Sequence, residues 1–186
     1  WDLQTVTGGR FVLGLGSQIR PHVEQRFSMP WAPPVARMRE LVLAIRAFWA
    51  AWETGDPLSF AGEHYTHTRM IPAFDPGPNP YGLPRILTAG VGPLMTEVAG
   101  EVADGFLVHP VNTRRSLLEL TLPALARGAE KAGRDPAGLE VVCVTIVVTG
   151  RTEEELARSR EAVRQQPAFY GTTPAYRPVF QLHGLG

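Results

Sequence analysis

The 186-residue sequence holds a single cysteine, Cys143, so no internal disulfide can form. The run around it, 141–148, is strongly apolar, and the expected state is a buried, inert thiol compatible with a reducing cytoplasm. Lysine is almost absent: Lys131 is one of 18 basic residues, and all the others are arginine. Eighteen acidic residues balance them, so neither nucleic acid nor an anionic membrane is an expected partner. No stretch reaches the roughly 18 apolar residues of a membrane helix, and no basic-then-apolar leader opens the chain. The sequence opens at Trp1 rather than methionine, which points to processing or to further sequence upstream. It has no nucleophilic triad and no Walker-type phosphate loop, and no set of side chains at metal-ligand spacing, so no metal is expected.

What is present is a regular alternation. Apolar residues make up 44% of the chain, enough for one domain with a sizeable core. Apolar runs ending in glycine or a turn predict strands at 10–16, 84–90, 105–109 and 139–149, the last rich in β-branched residues. Between and after them, helical spacing predicts helices at 35–52, 93–103, 114–132 and 152–166. Pro33 and Pro34 start the first of these and Gly55 ends it; Pro123 predicts a kink in the third. Thr152 and Glu155 have the spacing of a capping box for the fourth. Trp31, Trp49 and Trp52 are read as helix packing rather than as stacking platforms. Residues 56–83 break the rhythm as an inserted loop, with a small hairpin at 59–68. Strands alternating with helices predict a parallel sheet covered by helices, and the spacing fits a doubly wound sheet and a barrel equally.

Three strings carry a resemblance that separates these two. Thr7-Gly-Gly-Arg-Phe-Val-Leu-Gly-Leu-Gly-Ser17, Pro84-Arg-Ile-Leu-Thr-Ala-Gly-Val-Gly-Pro93 and Ala103-Asp-Gly-Phe-Leu-Val-His-Pro110 resemble strands four, five and six of luciferase-like flavin and deazaflavin enzymes, in order and in spacing. The helix Met38-Arg-Glu-Leu-Val-Leu-Ala-Ile-Arg-Ala-Phe-Trp49 between the first two matches as well. Trp1-Asp-Leu-Gln4 and the stretch 170–176 are similar to the branch that uses coenzyme F420. The resemblance implies an α/β fold: a partial (β/α)8 barrel comprising strands four to seven, a single truncated domain over 1–186. It also implies that three preceding strands, which carry part of the family's cofactor pocket, lie outside this sequence.

The implied activity is hydride transfer to or from a small organic substrate with F420 as cofactor, in the cytoplasm, by a chain that is often a homodimer in the family. One alternative is a monooxygenase using FMN, which activates oxygen; another is a non-catalytic fragment. In such barrels the site lies at the C-terminal strand ends. The implied cofactor-binding residues are Gly14, Gly16 and Ser17 after the first strand, and Thr88, Ala89, Gly90, Val91 and Gly92 after the second. Small residues there admit backbone N–H groups to a phosphate at a helix N-terminus, or simply make a tight turn. His109, Asn112, Arg114 and Arg115 follow the third strand. Either arginine suits a phosphate or faces solvent, and His109 suits a ligand contact, a proton donor or a structural hydrogen bond. In the inserted loop, Glu63, His64, Tyr65 and His67 are substrate-loop candidates, and His64 joins His109 as a catalytic candidate. His22 and Glu24 are placed near the first glycine turn.

Overall fold

A computed structural model describes residues 1–185. Its elements run α1 (Asp2–Val6), β1 (Val12–Gly16), α2 (Pro34–Thr54), β2 (Phe60–Ala61), β3 (Thr66–His67), β4 (Arg85–Gly90), α3 (Pro93–Val102), β5 (Gly105–Val108), α4 (Arg114–Ser116), α5 (Leu122–Lys131), β6 (Glu140–Cys143), α6 (Glu153–Gly171) and α7 (Arg177–Leu182). The four long strands form one sheet in the order β1-β4-β5-β6, and every pairing is parallel. β2 and β3 pair antiparallel as the expected small hairpin.

Register assigns the two faces of the sheet. Leu13, Leu15 and Ile86 pack outward on Met38, Val42, Trp49, Met95, Val98 and Val102 of α2 and α3. Phe106, Val108 and Val141 pack outward on Ala99 and Leu125 of α3 and α5. The alternate positions Gly14, Gly16, Leu87, Ala89, Leu107 and Val142 therefore share the other, concave face.

α2 starts at tandem prolines and stops at Gly55, whose φ of 76° is the left-handed cap that glycine tolerates. α3 and α5 meet at glycines: a Cβ on Gly128 would sit 1.9 Å from the Glu97 carbonyl, and one on Gly100 would sit 2.1 Å from that of Leu125. At the lower, N-terminal ends of the strands, the Asp104 carboxylate accepts from the Ile86 N–H and from Arg46, both at 2.8 Å. α1 and residues 77–82 close the same end, where Trp1 meets Trp52 edge-on and donates to the Gly77 carbonyl. None of the described helices is long and apolar enough to cross a membrane.

Five sequence expectations need correction. The last strand ends at Cys143, not at 149, because β5 stops at Val108, the partner of Cys143, and leaves nothing for later residues to pair with. For the same reason the run 141–148 is not buried on both faces: Val144 is 50% and Val147 67% exposed. Cys143 is exposed rather than buried, since no helix is packed over this end of β6. The helix expected at 114–132 is interrupted by a π-helical turn at Leu117–Thr121, just before Pro123, where a missing N–H disturbs the ladder. Finally, α6 continues past the expected end at 166, through Pro167, to Gly171.

Candidate functional site

Three βα junctions meet at the C-terminal edge of the sheet. After β1 the chain leaves through Ser17 and Gln18, the latter at φ 59°, into a π-helical turn at His22–Arg26. His22 Nδ1 lies 3.0 Å from the Gln18 side-chain oxygen, and Glu24 pairs with Arg20, so both are used locally.

Gly14 and Gly16 leave the concave floor without side chains. A Cβ at Gly14 would touch only Leu107 at 3.7 Å, and one at Gly16 only Ala89 at 4.0 Å. Thr88 points the other way by register, beside Ile86, and its hydroxyl is buried without a partner among the described residues. Only its backbone is therefore available to a ligand on the concave side.

The second and third junctions differ in how their helix starts are satisfied. α3 begins after Gly92, with Pro93 in its first turn and no side-chain cap. Thr96 returns its N–H and hydroxyl to the Gly92 carbonyl, but among the described residues the N–H groups of Leu94 and Met95 find no backbone acceptor. Gly90 is a glycine for packing, since a Cβ would lie 2.5 Å from Met95 Cγ, whereas Gly92 has nothing within 4 Å of that position. α4 carries a side-chain cap instead. Thr113 Oγ1 accepts from the Ser116 N–H at 3.1 Å, and Ser116 Oγ accepts from the Thr113 N–H at 2.9 Å. Ser116 Oγ also donates to Asn112 at 2.7 Å, so Asn112 is spent holding this cap. Among the described residues both helix starts keep open backbone N–H groups, those of Leu94 and Met95 at α3 and those of Arg114 and Arg115 at α4, but of the two only α3 lacks a side-chain cap.

The two arginines separate as well. Arg115 pairs with Glu119 at 2.9 Å and donates to the Leu182 carbonyl at 2.7 Å. Arg114 is exposed and has no ion-pair partner among the described residues.

His109, next after β5, continues the parity of Leu107. Its Nδ1 accepts from the Val111 N–H at 3.2 Å, which assigns the proton of the neutral ring to Nε2. Nε2 lies 3.2 Å from the Tyr176 hydroxyl oxygen. Tyr170 stands edge-on to the ring at 4.8 Å. Burial pushes the His109 pKa below its ordinary value, which keeps the ring neutral. Burial first, and then Tyr170, push the Tyr176 pKa up, so its phenol stays protonated. A small cavity of about 30 Å³ lies beside these residues, lined by Gly90, Val91, His109, Asn112 and Val179 among others.

Sequence reading placed 170–176 within the resemblance but did not single out Tyr170 or Tyr176. The signal was two tyrosines flanking Gly-Thr-Thr-Pro-Ala, a turn able to bring both rings to one spot.

The inserted hairpin is not brought to these strand ends by any hydrogen bond. It docks on the flank of α2, where the Glu40 carboxylate accepts from the N–H groups of Glu63 at 3.0 Å, His64 at 2.7 Å and Tyr65. Arg37 donates to the Tyr65 hydroxyl at 3.0 Å, and His67 lies 4.9 Å from the Phe48 ring. A larger open cleft of about 630 Å³, lined by Gly55, Pro57, Met70, Pro72 and Gly77, lies among loop residues of this insertion rather than at the strand ends.

Comparison with known proteins agrees with this architecture. The model of the luciferase-like monooxygenase family matches residues 1–185. The chain belongs to that family. An uncharacterized protein of Mycobacterium tuberculosis is 55% identical over 186 residues, which are all of this chain and 55% of that protein. The 5,10-methylenetetrahydromethanopterin reductase of Methanolobus tindarius is 31% identical over 193 residues, covering 99% of this chain and 52% of the relative. The coenzyme F420 dependent tetrahydromethanopterin reductase of Methanopyrus kandleri superposes with a TM-score of 0.76 at 23% identity, over 99% of this chain and 53% of that one, a likeness of fold. The chain thus spans about half the length of the relatives it matches, and its sheet is a portion of the family's (β/α)8 barrel.

Proposed function

We propose that this chain forms the phosphate-holding part of an F420-dependent oxidoreductase that moves hydride to or from a small organic substrate. The observation that carries this reading is the floor of small residues at Gly14, Gly16 and Ala89 beside the uncapped N-terminus of α3. The residues fit the group: a planar ring needs a floor of small side chains, and a phosphate needs unpaired N–H donors at a helix start. A structural neighbour named as a coenzyme F420 dependent tetrahydromethanopterin reductase supports the same cofactor.

When bound, the deazaflavin supplies or accepts the hydride. The protein's part is to bind, orient and exclude water. The N–H groups of Leu94 and Met95 would hold the phosphate, and the exposed guanidinium of Arg114, from the next βα junction, would pair with its charge. Ser17, Val91 and Gly92 line the approach with small groups and backbone. Thr88 holds β4 in place from the helix side. On this reading, 1–186 acts as one part of a barrel domain, and the 56–83 insertion, with Glu63, His64, Tyr65 and His67, acts on the outer flank.

Titration of the protein with F420 and, separately, FMN tests the reading. F420 is expected to bind more tightly, with Gly16→Val and Arg114→Ala each weakening it, the arginine change by about 1–3 kcal/mol. Preference for FMN would move the protein to oxygen chemistry, and binding of neither would remove the cofactor site.

A further inference from the structure

The segment after α6 folds back over the strand ends and is fastened there at three points. Tyr176 meets His109, His183 Nε2 lies 2.8 Å from Thr113 Oγ1, and Arg115 donates to the Leu182 carbonyl at 2.7 Å. Val179 adds an apolar wall against the Gly90-Val91 turn. The helix that leads into this strap, α6, buries none of its 19 residues. Its C-terminal end is tied to the strand ends by a ring cluster: Tyr170 stands 4.8 Å from the His109 ring and 5.3 Å from that of Tyr176, and Tyr176 stands 4.7 Å from His109.

The two nitrogens of His109 are committed in opposite senses. Nδ1 accepts from the Val111 N–H while Nε2 donates to the Tyr176 oxygen, a pairing that only one neutral tautomer makes. An added proton goes to Nδ1, which then faces the Val111 N–H donor to donor. Among the described residues Val111 N–H has no other acceptor. The new charge would also sit half-buried, which is costly without a partner. The surrounding elements supply none. Tyr170 faces the ring from α6 and Tyr176 from the strap, while Arg177 is exposed and His183 is turned to Thr113. From α4 come Arg114, exposed, and Arg115, held by Glu119 and the Leu182 carbonyl; the β4–α3 turn brings only Gly90 and Val91. Burial, with no charged partner to offset it, pushes the ring's pKa down in the same direction.

We propose that His109 is the pH-sensitive latch of a flap formed by α6 and the strap: the neutral ring holds the flap over the strand ends, and its protonation frees Tyr176 and opens that mouth. The far end stays tied through His183 to Thr113 and through Leu182 to Arg115, so the flap swings rather than detaches. The latch does not depend on which cofactor the site takes. The open flap binds the extra proton more readily, because the released ring returns to water and to its ordinary value. Closure is therefore favoured above the ordinary histidine pKa and is lost as pH falls toward the depressed value of the closed state. Between the two, the ratio of open to closed changes about tenfold per pH unit, the linkage of one proton.

The test measures the flap by pulsed electron spin resonance between nitroxides at two exposed positions, Ala168→Cys on α6 and Glu130→Cys on α5. Cys143→Ser removes the native thiol, and dilution with unlabelled chain leaves only distances within one molecule. A second pair, Ala50→Cys on α2 with Glu130→Cys, reports the body, and ring NMR on the same samples reports when His109 takes its proton. At neutral pH one narrow α6–α5 distance is expected. In acid a longer, broader population should grow in step with His109 protonation while the body pair holds. His109→Gln, whose amide donates to the Tyr176 oxygen and takes no proton, should stay closed across the range. His109→Phe keeps ring packing but neither hydrogen bond, and it should already be open at neutral pH and indifferent to acid. A flap that stays closed with His109 protonated, the imidazolium gripped by the tyrosine rings, overturns the latch. So does a closed His109→Phe, or opening of His109→Gln at the same pH as the parent. Loss of the body distance together with the flap distance would mean acid unfolding and overturns it too.

Discussion

At the scale of single residues, a few polar groups each hold more than one partner, and their protonation is the sensitive point. Glu40 is the clearest. Desolvation pushes its pKa up, but three backbone N–H donors from the hairpin outweigh that and hold it below the usual carboxylate value. A depressed carboxylate contributes stability that is present above its unfolded pKa and lost as pH falls through the folded one. Hairpin docking should therefore weaken only in acid. Amide exchange at Glu63, His64 and Tyr65 should accelerate there, and in Glu40→Gln already at neutral pH; slow exchange in that variant would contradict it. His109 has the corresponding signature for a buried base. Its folded pKa lies below the ordinary value, so the unfolded chain binds the extra proton first, and stability should fall as pH drops from the ordinary histidine value toward the folded one. Ring-proton NMR titration of His109 should give a pKa below the ordinary histidine value, and a value above it would mean that the ring is not held as described.

At the scale of elements, the strand and helix starts were readable because each has a local cause. Tandem prolines began α2, a left-handed glycine ended it, and apolar runs marked the four strands. The length of β6 was not readable, because composition reports that a run is apolar but not where its neighbour stops. The hairpin's location was hidden for a similar reason. Its histidines and tyrosine look like site residues, yet Glu40, some 20 residues earlier, ties their backbone to α2. The uncapped start of α3 and the capped start of α4 looked alike in sequence, because the cap depends on where the Ser116 hydroxyl turns. The contact of α3 with α5 yields a prediction at this scale. Gly100 and Gly128 face each other's backbones so closely that Gly128→Ala should cost about 1–3 kcal/mol in denaturant unfolding, as overpacking does. A variant of unchanged stability would show that the helices can separate without loss.

At the scale of the whole molecule, the described chain is four parallel strands with a helix layer on one face and, on the other, a concave face that is small at Gly14, Gly16 and Ala89. β1 and β6 each carry an unpaired edge among the described residues. Expressed as these 186 residues alone, the chain is expected to self-associate through those edges, and light scattering of a stable monomer would contradict that. The fold and the glycine turns were legible because they recur in strings of sequence; the Tyr176 strap was not, because it depends on chain folding back across 67 residues to reach His109. The central claim concerns where a deazaflavin phosphate sits, and a crystal structure of the protein with F420 bound tests it most directly. The account predicts the phosphate within hydrogen-bond distance of the Leu94 and Met95 N–H groups, with the ring lying over Gly14, Gly16 and Ala89. A phosphate bound elsewhere, with the start of α3 still facing water, would contradict it.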